Sequence, residues 1–312
     1  IYKLYNLIVM SSYPYTYPYT NKLITKEQVL KIFEKLKNEK IKKNQSNFQV
    51  SNKIHFTLHW DHYEKISLIT DYFTEECRVK CRFIGKKDTP IEYFNKHKNK
   101  ILEQSYISSK TNKKFSLKKF RDAMYFSNTK YCNKFNVLIA YYVYQLFKPK
   151  TVLDSSAGWG DRMIGAMAYG CQYQGYDPSE CLEPQYKNII ETLVSEKKQK
   201  HYNVLKKPFE EVVIKKKYDL AFTSPPFFDV ETYEKSNTQS LEKFPTKNKW
   251  VKNFLLVLVE KNIKALKKGG YLVIYVPYYP LYIQYMKNHK HIKHIGKITY
   301  KFDSEKKMRD LD

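Results

Sequence analysis

Cysteine is scarce in this chain, with five residues among 312. They are too few and too scattered for the disulfide framework of a small secreted protein, so we expect five reduced thiols. Long apolar runs are lacking as well, and none approaches the roughly 18 residues that cross a bilayer. The start of the chain has no convincing signal peptide. These absences predict an intracellular protein, cytoplasmic or nuclear, that does not enter a membrane.

Acidic residues are also in short supply. The chain has 31 Asp and Glu against 56 Lys and Arg, which gives a formal net charge of +25. Such an excess attracts polyanions, so nucleic acid is the partner that the charge favours. An A/T-rich coding sequence would raise the Lys and Tyr content without any functional reason, and the charge alone leaves both explanations open. Nothing in the sequence specifies an oligomeric state.

Residues 1–115 divide into an arm and a small unit. A repeated Pro-Tyr-Thr pattern without an apolar face predicts a flexible arm over residues 1–20. Thr25 and Gln28 then have the spacing of a capping box, which predicts the start of an amphipathic helix. Strand-like alternation follows, so we predict that residues 21–115 form a basic α+β accessory unit that binds nucleic acid.

The two candidate strands of this unit are Lys53 to Trp60 and Cys77 to Ile84. Both alternate apolar and polar side chains, which is typical of strands with one buried face. Side chains of the polar face and an aromatic ring are the candidate contacts with nucleic acid: Trp60, Arg78, Lys80 and Arg82.

Histidine and cysteine spacings in the same unit resemble a zinc site. His55 and His59 are four residues apart, as are Cys77 and Cys81, and each pair could face one ion. We prefer a different interpretation, in which the histidines lie on the outer face of a strand and the cysteines serve as small apolar residues. No metal site is therefore predicted.

The second part of the chain has a different pattern. A polar, Lys-rich segment from Ser105 to Lys119 is predicted to be a loop and the domain boundary. After it, short apolar strands alternate with amphipathic helices, which predicts an α/β fold: a doubly wound, mostly parallel Rossmann-like sheet over residues 120–312. Ligands of such sheets bind outside the carboxyl ends of the strands. The candidate strands are Thr151 to Asp154, Gln172 to Tyr176, Tyr202 to Leu205, Tyr218 to Thr223, Tyr271 to Val276 and Lys297 to Phe302.

A glycine turn follows the first of these strands. The segment Asp154-Ser-Ser-Ala157-Gly158-Trp-Gly160-Asp-Arg162 lies between a strand and a helix, where glycine lets the backbone turn tightly and approach a ligand. Asp177 ends the next strand, where a carboxylate can accept hydrogen bonds from both hydroxyls of a ribose. A nicotinamide-binding loop is the competing interpretation, but Gly165 falls after the third glycine position of the Gly-x-Gly-x-x-Gly pattern that such a loop needs.

Ser224-Pro225-Pro226-Phe227 follows the fourth strand. At a strand's carboxyl end, these residues place a hydroxyl, a carbonyl and an aromatic face in one rigid cleft. That combination suits methyl transfer to the exocyclic amine of a nucleobase, which needs acceptors and a flat wall but no strong base. The alternative is a strand terminator with a buried aromatic ring.

Together, the glycine turn, the acid after strand two and Ser-Pro-Pro-Phe after strand four resemble class I S-adenosylmethionine-dependent amino methyltransferases of nucleic acids, of the adenine-N6 and cytosine-N4 DNA type found in phages and large viruses. The match covers about residues 121–302. It implies S-adenosyl-L-methionine as cofactor. Folds of that family end with a hairpin whose last strand inserts beside strand five, and we expect this domain to be truncated at that strand.

The resemblance also implies residue roles. It implies that Asp154, Ala157, Gly158 and Gly160 approach the methionine part of the cofactor and that Asp177 holds its ribose. The acid that contacts the cofactor's adenine in that family is absent or displaced in Lys207-Pro208-Phe209-Glu210, so Phe209 is expected to stack there. Phe135 belongs to Asn133-Lys134-Phe135-Asn136, which matches the segment near the methionine carboxylate, although a helix cap explains it equally well.

On the substrate side, Ser224 and the Pro225 carbonyl would accept the two protons of the amine, Pro226 would fix the backbone and Phe227 would stack on the base. Tyr233, in the same loop, is a candidate contact with the nucleotide. Serine in the first position favours cytosine in that family, but the rule fails in viral members, and we lean slightly to adenine. DNA is favoured over RNA. The same chemistry on capped RNA or tRNA, and an inactive binding subunit, remain alternatives.

Overall fold

The computed structural model describes residues 24–41, 53–108, 113–125, 129–234, 236–302 and 309–311. The arm predicted at residues 1–20 lies outside these ranges, as do residues 303–308. Among the described residues, no helix combines the length and the apolar character needed to span a membrane.

The described ranges contain twelve strands. Their bounds are β1 Lys53–Leu58, β2 Arg82–Phe83, β3 Tyr106–Ser108, β4 Lys113–Phe115, β5 Thr151–Asp154, β6 Gln172–Tyr176, β7 Tyr202–Leu205, β8 Tyr218–Thr223, β9 Glu231–Thr232, β10 Leu266–Ile274, β11 Lys297–Phe302 and β12 Arg309–Leu311. The largest sheet has the order β10-β8-β5-β6-β7, and all its neighbours are parallel. Numbered along the chain, this is the order 5-4-1-2-3 of a doubly wound fold. The predicted fold class is confirmed.

Helices fill the connections between the strands. The α-helices are α1 Lys26–Lys37, α2 Trp60–Arg78, α3 Pro90–Gln104, α4 Leu117–Tyr125, α5 Val137–Phe147, α6 Asp161–Tyr169, α7 Glu183–Leu193, α8 Glu196–Gln199, α9 Ser240–Lys243, α10 Lys247–Trp250, α11 Leu256–Ala265 and α12 Pro280–Asn288. A 3₁₀ turn covers Phe209–Glu211, and a π-helical turn covers Val251–Leu255. The predicted capping box at the start of α1 is confirmed, because Thr25 and Gln28 exchange both hydrogen bonds.

The strand predicted at Cys77 to Ile84 is wrong. Residues up to Arg78 belong to α2, and only Arg82–Phe83 form a strand, which pairs with β9. The helix buries Ile66, Ile69, Phe73 and Cys77 on one face, at the three- and four-residue spacing of an amphipathic helix. Trp60 starts this helix rather than ending a strand, and its ring is 42% exposed.

The last predicted strand of the central sheet belongs to a different sheet. β11 pairs in parallel with β1 over six residues, from Lys53 and Lys297 to Leu58 and Phe302, and β12 adds antiparallel to β11. The buried residues Ile54, Phe56 and Leu58 thus share a core with this distant segment. The predicted loop from Ser105 to Lys119 also contains the short antiparallel pair β3 and β4. The domain boundary placed there stays a prediction.

Two of the five cysteines are not reduced. Cys77 and Cys181 form a disulfide across 104 residues, so the prediction of five free thiols is wrong. Cys81, Cys132 and Cys171 are free and buried. The bond ties the end of α2 to the segment that follows β6.

Candidate functional site

A cavity of about 880 Å³ opens at the carboxyl ends of the central strands. It lies where the strand order reverses, between β5 and β8, which is the usual ligand position in a doubly wound sheet. The volume is in the upper part of the range of about 300–1,000 Å³ that small-molecule sites occupy. Segments following β5, β6 and β8 all contribute to its wall.

The glycine turn after β5 requires its glycines. Gly158 has φ +57° and Gly160 has φ +90°, both in the left-handed region that other residues rarely adopt. A Cβ atom on Gly160 would lie 3.1 Å from the Ile189 side chain, so space is also lacking there. Gly165 lies within α6 instead and packs on α5, with no role in the turn.

Asp177 joins this turn from the end of β6. Its Oδ2 accepts a hydrogen bond from the Gly158 N–H at 2.8 Å, and its Oδ1 accepts one from the Ser179 N–H at 3.0 Å. Burial raises the pKa of Asp177 to about 6, against the lowering effect of these two hydrogen bonds. The carboxyl lines the cavity and has acceptor capacity left for a ligand.

Asp154 does not line the cavity, contrary to the expected approach to the cofactor. Its carboxylate is fully buried and pairs with the Arg162 guanidinium, with 2.7 Å between Oδ2 and Nε. The Tyr173 hydroxyl donates to the same oxygen at 2.6 Å. Ala157 and Gly160 are likewise absent from the wall. These three residues belong to the turn but lie outside the cavity wall, whereas Gly158 lines the cavity.

Ser224, Pro225, Pro226 and Phe227 all line the cavity. The chain reverses directly after them, since the Val230 N–H donates to the Phe227 carbonyl at 2.8 Å. The Phe227 ring meets Tyr275 edge-on with 5.5 Å between centroids. The four residues therefore form part of the cavity wall, and they follow β8, the neighbour of the strand β5 that leads into the glycine turn.

The segment before α5 forms another part of the wall. Asn133, Lys134, Phe135 and Asn136 line the cavity, and Asn136 also caps the helix by accepting from the Leu138 N–H at 2.8 Å. The helix cap is therefore confirmed, and the contact with the methionine part of a cofactor stays a prediction. Phe135 meets Tyr275 at 6.2 Å between ring centroids.

Lys134 and Asp161 are buried ionisable groups beside this segment. The Lys134 ammonium lies 2.7 Å from Asp71, and burial lowers its pKa while Asp71 opposes the shift. Burial raises the pKa of Asp161 to about 6, although Asp161 accepts a hydrogen bond from Thr70 at 2.6 Å. Asp161 lines the cavity, although the sequence predicts no specific role for this residue of the turn.

Phe209 lines the far end of the cavity together with Glu210. Phe209 is buried and packs against Tyr176 with 5.3 Å between ring centroids. Glu210 pairs with Lys243 at 3.0 Å. An acidic side chain is therefore present at this end, one residue after the aromatic ring.

The five predicted nucleic-acid contacts are placed differently, and Trp60 is 42% exposed outside the cavity. Lys80 and Tyr233 line the cavity, whereas Arg82 is exposed in β2 outside it. Arg78 is buried, pairs with Asp71 and packs over the Tyr131 ring, so it does not lie on the surface as the prediction requires. The Tyr233 hydroxyl donates to Glu231 at 2.7 Å, which turns its polar end inward.

Several wall residues were not predicted from the sequence. They are aromatic side chains from segments far apart in the chain: Tyr63, Trp159, Tyr275 and Tyr300. Glu231 lines the cavity as well. Burial raises the pKa of Glu231, whose carboxylate also accepts from the Asn133 N–H at 2.5 Å. Among the described residues, no group of three or more His, Cys, Asp or Glu side chains is arranged to hold a metal ion.

No protein-family model and no curated protein matches the chain. Among solved structures, it is similar to the CcbJ methyltransferase from Streptomyces caelestis, with 15% identity, a TM-score of 0.32 and coverage of 44% of this chain and 46% of that one. A SAM-dependent methyltransferase from Agrobacterium tumefaciens has 15% identity, a TM-score of 0.35 and 56% coverage of both chains. Coclaurine N-methyltransferase bound to N-methylheliamine and SAH has 14% identity, a TM-score of 0.30 and coverage of 82% and 60%.

This chain thus spans about half of the first two structures and 60% of the third. The sheet order and the cavity described above are independent of them.

Proposed function

We propose that this protein is an S-adenosylmethionine-dependent methyltransferase that acts on the exocyclic amine of a base in DNA, with adenine slightly favoured over cytosine. The observation that supports this proposal most is a shared cavity. Gly158 after β5, Asp177 after β6 and Ser224 to Phe227 after β8 all line it, at the reversal point of the strand order. If Ser-Pro-Pro-Phe served only to end a strand, it would have no reason to line this cavity.

The cavity residues fit the cofactor. The Gly158 turn lets a ligand approach the backbone closely, and the Asp177 carboxyl can accept hydrogen bonds from ribose hydroxyls. Phe209 offers an apolar ring at the far end, next to the acid Glu210. When bound, S-adenosylmethionine supplies a methyl group on a positively charged sulfur.

Ser224 to Phe227 fit the acceptor base. The lone pair of an exocyclic amine is delocalised into the ring, so the protein must localise it and aim it at the methyl group. The Ser224 hydroxyl and the Pro225 carbonyl accept the two N–H groups, and the prolines hold these acceptors in place before the reaction. After the nitrogen has been methylated, its remaining extra proton is acidic and leaves to water.

Phe227 and Tyr275 provide the flat wall that this geometry needs. Their edge-on contact fixes the Phe227 ring, so a base can stack on it with little reorganisation. Stacking of a base on an aromatic ring contributes about 1–3 kcal/mol. The target atom is inaccessible inside a duplex, so the base must leave the helix or come from a single strand.

The proposal is tested by incubating the protein with cofactor labelled in the methyl group and four substrates: duplex DNA, single-stranded DNA, capped RNA and tRNA. The expected result is label in DNA. Label only in an RNA would overturn the choice of substrate, and cofactor binding without transfer to any of them would favour an inactive binding subunit. Ser224→Ala should abolish most transfer, whereas Ser195→Ala, an exposed serine outside the cavity, should not.

A further inference from the structure

Three aromatic rings lie nearly parallel between the surface and the cavity. Trp60 and Tyr63 have 6.0 Å between ring centroids and 21° between planes, and Tyr63 and Tyr300 have 6.3 Å and 20°. Tyr63 and Tyr300 line the cavity, while Trp60 is 42% exposed. We call these three rings the aromatic track. It leads from solvent to the side of the cavity formed by Asn136.

The fully buried ring of Phe302 holds the aromatic track in place. Phe302 meets Trp60, Tyr63 and Tyr300 nearly edge-on, with centroid distances of 4.7, 5.0 and 5.9 Å. Trp60 and Tyr63 share a face of α2, and Tyr300 and Phe302 share a face of β11. The parallel pairing of β1 with β11 therefore brings together rings that are far apart in the sequence.

We propose that the aromatic track stacks bases next to the target base, so that the substrate is single-stranded DNA. This inference rests on the proposed function and specifies its substrate. Aligned aromatic faces that continue into a reaction site suit bases of any sequence, because every base offers a flat face. In a duplex with one flipped base, the neighbouring bases stay paired and stacked, and their faces are not available. The net charge of +25 supplies attraction to the backbone.

The dimensions limit the reach of the track. Trp60 lies one ring spacing of 6.0 Å beyond the cavity wall. Stacked nucleotides rise about 3.4 Å each, so Trp60 should meet a base roughly two positions beyond the base at Tyr63. A mononucleotide reaches the cavity but not Trp60.

Binding can be measured without any reaction. Thymine has no exocyclic amine, so a thymidine nonamer cannot be methylated at such a group. Of the three tryptophans, Trp250 is fully buried and Trp159 lines the cavity with 7% exposure, so Trp60, at 42%, is the most exposed fluorophore. The nonamer should quench tryptophan emission in the wild-type protein, and most of that signal should be missing in Trp60→Phe. Equal quenching in both proteins would overturn the inference, as would no quenching at saturating nonamer.

Turnover gives a second measurement. The substrates are a nonamer with one deoxyadenosine between thymidines and the mononucleotide dAMP. Trp60→Ala should lower kcat/KM for the nonamer relative to dAMP by about 5- to 150-fold, mainly through KM. Tyr271→Ala removes a ring of similar exposure, 40%, in β10 outside the cavity and should leave this ratio unchanged. An unchanged ratio in Trp60→Ala would contradict the track.

The two proposals fail in different ways. If the nonamer quenches Trp60 but no DNA is ever methylated, the proposed function fails and the binding track stands. The opposite outcome is methylation of DNA with a preference for duplex, and no effect of the Trp60 substitutions on quenching or on the kcat/KM ratio. The track then fails and the proposed function stands. Quenching by uridine nonamer and none by thymidine nonamer would overturn the choice of DNA.

Discussion

The Asp177 carboxylate accepts a hydrogen bond from the Gly158 N–H at 2.8 Å, although 19 residues separate the two in the chain. This bond fastens the end of β6 to the turn after β5. The acid that would hold a ribose and the backbone that would face the methionine part of the cofactor are thereby fixed relative to each other.

Cofactor affinity should therefore depend on the ionisation of Asp177. Its pKa is raised to about 6 by burial, so the carboxylate is mostly protonated at pH 5. A protonated carboxyl loses acceptor capacity, and the dissociation constant for S-adenosylmethionine should be about tenfold higher at pH 5 than at pH 7. Calorimetric titration across this range measures the change.

The neighbouring Asp161 needs a control, because burial raises its pKa to about 6 as well. Asp177→Asn cannot titrate, so its weaker affinity should show little change between pH 5 and 7. A variant that kept the full pH dependence would assign it to Asp161 instead.

Asp154 should matter for stability. Replacing it by Ala leaves the buried Arg162 guanidinium without its carboxylate, and breaking a buried pair costs about 3–5 kcal/mol of unfolding free energy. Lys187→Ala removes one partner of the exposed pair with Glu191 and should change the unfolding free energy by less than about 1 kcal/mol. Urea denaturation compares the two variants. Equal stabilities would show that the Arg162 contact is not formed.

Phe302 should behave as a core residue of the whole protein. It is fully buried under the aromatic track, and Phe→Ala changes in cores cost about 3–5 kcal/mol. Val213→Ala, at a side chain that is 82% exposed, should fall within about 0.5 kcal/mol of the parent. If Phe302→Ala were as mild as Val213→Ala in denaturant titration, the pairing of β1 with β11 would be refuted.

The disulfide determines how many thiols can be alkylated. Alkylation of the denatured protein without reductant should label three thiols, and with reductant all five. Labelling of five thiols in both cases would contradict the bond between Cys77 and Cys181. Cys181→Ser should also lower the unfolding free energy by about 2–4 kcal/mol, since the bond closes a long loop.

The strands of the central sheet could be predicted because each is a short apolar run next to a turn. The carboxyl ends of such strands meet at one edge, so the sequence also indicated that Gly158, Asp177 and Ser224 would approach one cavity, as the structure shows. Their chemical roles remain predictions. The fifth strand begins earlier than predicted, at Leu266 rather than Tyr271.

The pairing of strands and of buried side chains could not be predicted, because the alternation of apolar and polar residues does not specify which segment is the neighbour. Alternation in Lys297–Phe302 predicted a strand, but it defines a buried face and not the neighbouring strand, which is β1. The pairing of Asp154 with Arg162 and Tyr173 depends likewise on the folded arrangement. The helix Trp60–Arg78 could have been predicted, because Ile66, Ile69 and Phe73 have the spacing of an amphipathic helix. The alternating side chains at its end led to the wrong prediction of a strand from Cys77 to Ile84.

The central claim is that Ser224 and the Pro225 carbonyl hold an exocyclic amine for methylation. Mass spectrometry of nucleosides from single-stranded DNA treated with the protein tests it most directly. The account predicts deoxyadenosine or deoxycytidine with the new methyl group on the exocyclic nitrogen, and about 100-fold slower formation by Ser224→Ala. A methyl group on a ring carbon or ring nitrogen, or undiminished turnover by Ser224→Ala, would contradict it.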